Sequence, residues 1–299
     1  MRPNNPLEHK LEQIRTRRID VDVAGTRTAV WLYGPPDADD TVVLVHGFRG
    51  THHGLLNLVA LLPDVRFIAP DLPGFGESGE FAGEHTLDAY AAWLAELLEV
   101  VDAEARAVVL GHSFGSLVVA RNVAALDDRR IVLVNPISEN ALSGPERIPT
   151  AVAVGYYRLG AALPEAAGSV LLKSPLITRV MSEVMAVTRS RALRAWIHDE
   201  HEQHFSDFTS RRALLESFRA SVSDDVISHA AEFPEGVHLV AGERDRIAPP
   251  SGSERLHEAM AGSTLHVIEG VGHLVHYETP TALARILAGF LAEKGAQHD

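Results

Sequence analysis

Six short runs of the chain are apolar almost without interruption: residues 41–46, 65–69, 107–110, 131–135, 237–241 and 265–268. Runs of this length and kind are expected of strands buried on both faces, as in a parallel sheet covered by helices. Two earlier segments, 18–23 and 28–33, are β-branched and flank Ala24-Gly25-Thr26, which predicts an antiparallel hairpin at the sheet edge. Leu87, Tyr90, Ala91, Leu94, Leu97 and Leu98 recur at steps of three and four, which predicts a helix over 87–101, and 282–291 has a similar pattern. Strands alternating with helices imply a doubly wound α/β core. The alternation stops after Asn135-Pro136 and resumes near Val237. The stretch between is rich in Ala, Leu, Arg and Val at helical spacing. The expected division is therefore a core over 1–136, a helical cap inserted over 137–222, and the second part of the core over 223–299.

Composition narrows the function. A length of 299 residues suits one α/β domain with a large insertion, and 46% hydrophobic against 22% charged residues leaves ample material for a core. The 27 basic and 40 acidic side chains give a formal charge of -13, which repels phosphate backbones and anionic lipid surfaces. The expected partner is a small-molecule substrate, not a nucleic acid or a membrane. The absence of cysteine excludes a disulfide framework, a thiolate nucleophile and a Cys-based zinc site. Residues 1–10 are polar and lack the apolar stretch of a secretory signal, and the apolar run 107–120 is interrupted by His112. It is also shorter than the about 20 residues a membrane helix needs, so a cytoplasmic location is expected.

The strongest chemical signal is Gly111-His112-Ser113-Phe114-Gly115, which follows the strand 107–110 and precedes a helical run over 116–125. This is a G-x-S-x-G nucleophile elbow in its strand-turn-helix context. A serine hydroxyl needs a base to take its proton during attack, and histidine is the usual choice. Among 16 histidines, position selects His273, in Gly270-Val271-Gly272-His273 just beyond the last core strand. His276 is read as structural. The base in turn needs a carboxylate to fix its tautomer, and Asp245, directly after the strand 237–241, is the best placed. Glu243 lies too close to the strand end, Asp225 falls in a predicted helix, and Asn135 cannot be the anionic member.

Several motifs together resemble the α/β-hydrolase fold of the abhydrolase type, over essentially residues 30–291. They are His46-Gly47-Phe48, Asp71-Leu72-Pro73-Gly74-Phe75-Gly76-Glu77-Ser78, the elbow, the G-x-x-D segment ending in Asp245, and Gly272-His273 followed by Glu278-Thr279-Pro280. The resemblance implies an α/β architecture with a mostly parallel central sheet flanked by helices and an inserted helical cap. It also implies an oxyanion hole made by the backbone N–H groups of Phe48 and Phe114. The order Ser, Asp, His along the chain is the family's. Two features depart from the pattern: Ser116 stands where many relatives have a second glycine, and residues 48–53 are unusually polar. Serine at the nucleophile position argues against dehalogenase or epoxide hydrolase chemistry, which in this fold uses a carboxylate.

Other signals carry less. Arg49 reads as a solvent-facing loop cation, with a substrate contact as the alternative. His198, His201 and His204 drift around a helix and read as a solvated cap face, not a metal site. Asp71 is a structural turn residue, His112 packs behind the elbow, and residues 73–76 lack the Gly-Lys-Ser/Thr of a phosphate loop. No metal or cofactor is expected. The apolar residues of 151–172 and 176–187 are expected mostly to seal the cap onto the core, some of them lining a cleft. The leading expectation is a carboxylesterase acting on small to medium, mostly uncharged esters through an acyl-enzyme. Carbon-carbon bond hydrolysis of a ring-cleavage dienoate or β-diketone is the alternative, and a ligand-binding protein that keeps a hydrolase fold is the reading from outside enzymology.

Overall fold

A computed structural model of the chain describes residues 5–126, 129–140 and 147–293, with the backbone alone for 147–152. The ends of the expected core lie outside what is described, as do the side chains of Ala151 and Val152 in the expected cap. Among the described residues eight strands form one sheet: β1 (Thr16–Val23), β2 (Thr26–Tyr33), β3 (Thr41–Val45), β4 (Arg66–Pro70), β5 (Val108–His112), β6 (Ile131–Val134), β7 (His238–Gly242) and β8 (Thr264–Ile268). Their spatial order is β1-β2-β4-β3-β5-β6-β7-β8. β1 and β2 pair antiparallel, β2 meets β4 antiparallel, and every later pairing is parallel. The expected hairpin is thus at one edge. Its two connecting residues, Ala24 and Gly25, have φ of 51° and 69°, the left-handed backbone that a tight hairpin turn requires.

Successive residues of the central strands enter opposite hydrophobic clusters, as the two-residue period of a strand dictates. Val43, Val45, Val109 and Leu133 join the cluster on one face, and Val42, Leu44, Val108, Leu110 and Val132 the other. Helices cover both. After α1 (Glu8–Leu11) come α2 (Leu56–Leu61), α3 (Leu87–Val101) and α4 (Phe114–Arg121). α3 starts at Thr86, whose hydroxyl accepts from the Ala89 N–H at 3.1 Å, and it buries Tyr90, Trp93, Leu94 and Leu97 on the first face. β8 departs from the expectation of burial on both faces. It is the far edge strand, and its residues are half-buried or exposed.

Between β6 and β7 the chain leaves the sheet, and the described residues there form the α-helices α5 (Arg147–Ala162), α6 (Glu165–Leu172), α7 (Pro175–Met185), α8 (Arg191–His204) and α9 (Arg211–Ser221). Then α10 (Pro250–Ala259), α11 (Val275–Glu278) and α12 (Pro280–Ala292) complete the core. The insert corrects one expectation about its apolar residues. Tyr157 and Leu172 are buried, but Leu159, Val170, Leu176, Val180 and Val184 are exposed. Leu176, Val180 and Val184 recur every four residues, so they form one outward stripe along α7 instead of a seal against the core. No helix among the described residues is long and apolar enough to cross a membrane.

Candidate active site

The C-terminal ends of the parallel strands carry the residues that sequence singled out. β5 runs into α4 through Ser113, which has φ 52° and ψ -118°, a backbone region that few residues other than glycine adopt. That turn brings α4 so close to the end of β3 that a Cβ on Gly115 would lie 2.1 Å from the Val45 carbonyl oxygen. Only glycine fits there. The elbow is further tied by Ser116, whose hydroxyl donates to the Ser113 carbonyl at 2.6 Å and accepts from the Ile137 N–H at 3.1 Å. The departure from a second glycine is therefore a fastening between the elbow and the chain entering the insert.

Ser113 Oγ lies 2.8 Å from His273 Nε2, and His273 Nδ1 lies 2.7 Å from Asp245 Oδ2. All three side chains are buried. Asp245 Oδ1 accepts the Ile247 and Ala248 N–H groups at 2.8 and 3.0 Å. Burial by itself would raise the Asp245 pKa, but His273 and these N–H donors outweigh it and hold the carboxyl below its ordinary value. An ionised carboxylate can only accept, so Nδ1 of His273 carries the proton and Nε2 is left to accept from Ser113. Neither Phe48 nor Phe114 gives its backbone N–H to a partner among the described residues. At Phe114 this follows from its place as the first residue of α4.

Three residues that the sequence names without giving them a part in the site take one here. Asn135 is buried at the end of β6, and its Nδ2 donates to Asp245 Oδ2 at 2.8 Å. Glu278 accepts the Gly272 N–H at 2.9 Å and also the Thr188 N–H, so one carboxyl joins the His273 loop to the segment after α7. Burial pushes the Glu278 pKa up. Ser116 is the third. For Asn135 the signal in the sequence is an asparagine at a strand end, where left-handed backbone tolerates it; its φ is 45°.

Other sequence readings meet mixed outcomes. Asp71 is a buried turn residue, accepting from the His52 backbone and Nδ1 at 2.7 and 2.9 Å and from the Glu77 N–H at 2.8 Å. His112 packs behind the elbow with Nε2 3.3 Å from the His273 carbonyl, and its ring meets that of His276 at 4.3 Å. Burial, with His273 adding to it, pushes His112 down to about 3. Glu243 is exposed and accepts the Gly270 N–H at 2.7 Å. Asp225 lies in irregular chain before a short 3-10 helix (Ile227–Glu232) instead of in a helix, its carboxylate accepting from the Ser228 N–H at 2.9 Å.

Two readings are corrected. Arg49 is not a solvent-facing cation, because only 1% of it is exposed and its guanidinium bonds to the insert. His198 and His201 are not on a solvated face. Both are buried, with their Nδ1 atoms 2.6 and 2.7 Å from the same Ser182 hydroxyl. Helical drift carries His204 away from that pair, and its ring stacks on His53 at 3.9 Å. Among the described residues no cluster of three His, Asp or Glu side chains could hold a metal ion.

Known proteins resemble this chain over most of its length. The sequence profile of the alpha/beta hydrolase family matches residues 42–286. The 2-hydroxy-6-oxononadienedioate/2-hydroxy-6-oxononatrienedioate hydrolase of Escherichia coli is 26% identical, covering 94% of this chain and 97% of that protein. An uncharacterized protein of Mycobacterium tuberculosis is 27% identical over 97% of this chain and 84% of its own length. The solved structure of a thermophilic esterase from Thermogutta terrifontis superposes with a TM-score of 0.75 at 21% identity, covering 93% of this chain and 98% of the esterase. The profile match spans most of the sequence and takes in the elbow, the Asp245 turn and the His273 loop, so the chain belongs to the alpha/beta hydrolase family.

Proposed function

We propose that the protein is a serine hydrolase in which Ser113 is the nucleophile, His273 the general base and Asp245 the residue that orients the base. The observation that carries this reading is the continuous relay from Ser113 Oγ through His273 to Asp245, with contacts of 2.8 and 2.7 Å. As Ser113 Oγ forms a bond to a carbonyl carbon, its proton passes to His273 Nε2, and the imidazolium is stabilised by Asp245. The carbonyl oxygen, now negative, is held in this reading by the N–H groups of Phe48 and Phe114, neither of which has a partner among the described residues. The imidazolium then gives its proton to the leaving group. Water, deprotonated by the same histidine, releases the acyl group from Ser113.

A carboxylic ester of a small or medium acyl chain is the substrate class we favour. Phe48, beside the Ser113 turn, packs against Phe75, Tyr157 and Phe218 at centroid distances of 5.8 to 5.9 Å, an aromatic, apolar cluster that would serve as a wall for the acyl group. The second reading is carbon-carbon bond hydrolysis of a dienoate, supported by the likeness to the Escherichia coli hydrolase along nearly the whole of both chains. The same three side chains serve either reaction. A fluorophosphonate probe tests the shared chemistry: Ser113 of the folded protein should become labelled, and Ser113→Ala should take no label. An unlabelled parent protein would instead favour a ligand-binding role. Parallel assays with graded esters and with a dienoate then separate the two substrate classes.

A further inference from the structure

Arg49 follows Phe48 in the turn between β3 and α2, with φ of 60°, a left-handed conformation uncommon for a residue with a side chain. Its guanidinium is buried, yet it makes no ion pair with a carboxylate among the described residues. Its hydrogen bonds run to the insert instead. Nε donates to the Phe205 carbonyl at 2.8 Å, Nη2 to the Leu172 carbonyl at 3.0 Å and Nη1 to the Tyr157 hydroxyl at 3.4 Å. Leu172 is the last residue of α6 and Phe205 the C-terminal cap of α8. The last carbonyls of a helix have no partner within it and carry the negative end of its dipole. One buried cation thus neutralises the C-terminal ends of two helices. The rings of Phe205 and Phe208 complete its surroundings at 5.5 and 5.7 Å.

We propose that Arg49 is a positioning residue that latches the insert onto the oxyanion turn, so that docking of α6 and α8 and the setting of the Phe48 N–H are one event. The inference rests on the oxyanion role assigned to Phe48 above. Arg49 acts through its neighbour and touches no reacting atom. Releasing its side chain would free the turn that aims Phe48, and loss or misplacement of one oxyanion donor slows turnover by about a hundredfold.

The test removes the guanidinium without straining the backbone. Arg49→Gly keeps a residue at ease with positive φ, and Arg49→Lys keeps a cation but not the three-way fork. In Arg49→Gly, kcat on an ester that the parent hydrolyses should fall by about tenfold to a hundredfold while KM changes less. Amide exchange should quicken in α6 and the end of α8 but not in β5. Millimolar ethylguanidinium should restore part of the lost kcat in Arg49→Gly and leave the parent unaffected, which a general loss of packing would not allow. Arg49→Lys should fall between. An Arg49→Gly variant with parental kcat, or with parental exchange in α6 and α8, would overturn the proposal. Fluorophosphonate labelling of the parent keeps the two claims apart. A parent that takes no label sinks the hydrolase reading, while the exchange measurement still decides whether Arg49 is the latch.

Discussion

Asn135 Nδ2 donates to Asp245 Oδ2 at 2.8 Å, the same carboxylate oxygen that His273 Nδ1 meets at 2.7 Å. The amide cannot be turned around, because its oxygen would then face an ionised carboxylate. That oxygen, Asn135 Oδ1, is buried with no hydrogen-bond partner among the described residues, so the amide is oriented from its donor side, by Asp245 and by the Gly272 carbonyl at 3.5 Å. The left-handed backbone of Asn135 suits glycine as well as asparagine. Asn135→Gly should therefore fold and lose only the amide. A hydrogen bond to an ionised acceptor contributes about 1.5–3 kcal/mol, so a tilt of Asp245 after its loss should lower kcat by about tenfold or more. Asn135→Asp should do something different. Two carboxyls on one site cannot both ionise easily, so the acid limb of the pH–rate profile should move to higher pH. Parental kcat and an unmoved acid limb in both variants would remove Asn135 from the site.

Backbone strain at Ser113 is open to a stability measurement. With φ 52° and ψ -118°, Ser113 sits where a Cβ is costly, by an amount on the order of 1–3 kcal/mol. Ser113→Ala keeps the Cβ and the strain, while Ser113→Gly relieves it. Although glycine also loses more freedom on folding, by about 0.5–1 kcal/mol, Ser113→Gly should melt above Ser113→Ala and at or above the parent. A glycine variant that melts below the alanine variant would show that the turn holds no strain.

How much of this was legible in advance depended on whether a residue's role was local. The strands, the elbow and the order of Ser113, Asp245 and His273 could be read because each depends on its neighbours in sequence: an apolar run, two close glycines, a loop after a strand. Arg49 could not. A polar, glycine-flanked stretch looks solvated, and only the fold brings Tyr157, Leu172 and Phe205 onto the guanidinium, more than a hundred residues away. The same holds for His198 and His201, whose helical drift was read correctly but whose burial on Ser182 depends on α7 packing against α8. The outward stripe of α7 failed for the opposite reason. Helical periodicity identifies an apolar face without saying what, if anything, covers it.

Buried neutral histidines should make stability fall early on acidification. Burial pushes His112, His53 and His201 down to about 3, and His46 and His85 to about 4. Their ordinary value is near 6.5, so as pH falls below that the unfolded chain takes up protons that the folded one refuses. Stability is therefore present above about pH 6.5 and is lost from there down to about pH 4 for His46 and His85 and about pH 3 for the other three. Each such histidine contributes a slope of at most about 1.4 kcal/mol per pH unit in this window. His201→Gln should make the decline shallower by about one histidine's share, read from urea unfolding at steps between pH 7 and 4. A parental slope in His201→Gln, or flat stability across the window, would contradict the burial of these rings as neutral groups.

Substrate length should follow from the aromatic wall. Phe48 is half-buried and is flanked by Phe75, Tyr157 and Phe218, with Tyr157 and Phe218 stacked at 3.9 Å, so an acyl chain leaving Ser113 on that side would exchange water for rings. Each methylene so buried contributes about 0.8 kcal/mol, a factor of about four in kcat/KM, until the wall ends. Esters with about four to eight acyl carbons should accordingly be hydrolysed better than acetates, with most of the gain in kcat/KM. Phe218→Ala should reduce the preference by opening the wall, while acetate turnover changes little. A kcat/KM that peaks at acetate, or a length profile identical in the parent and Phe218→Ala, would mean that the acyl group lies elsewhere in the site.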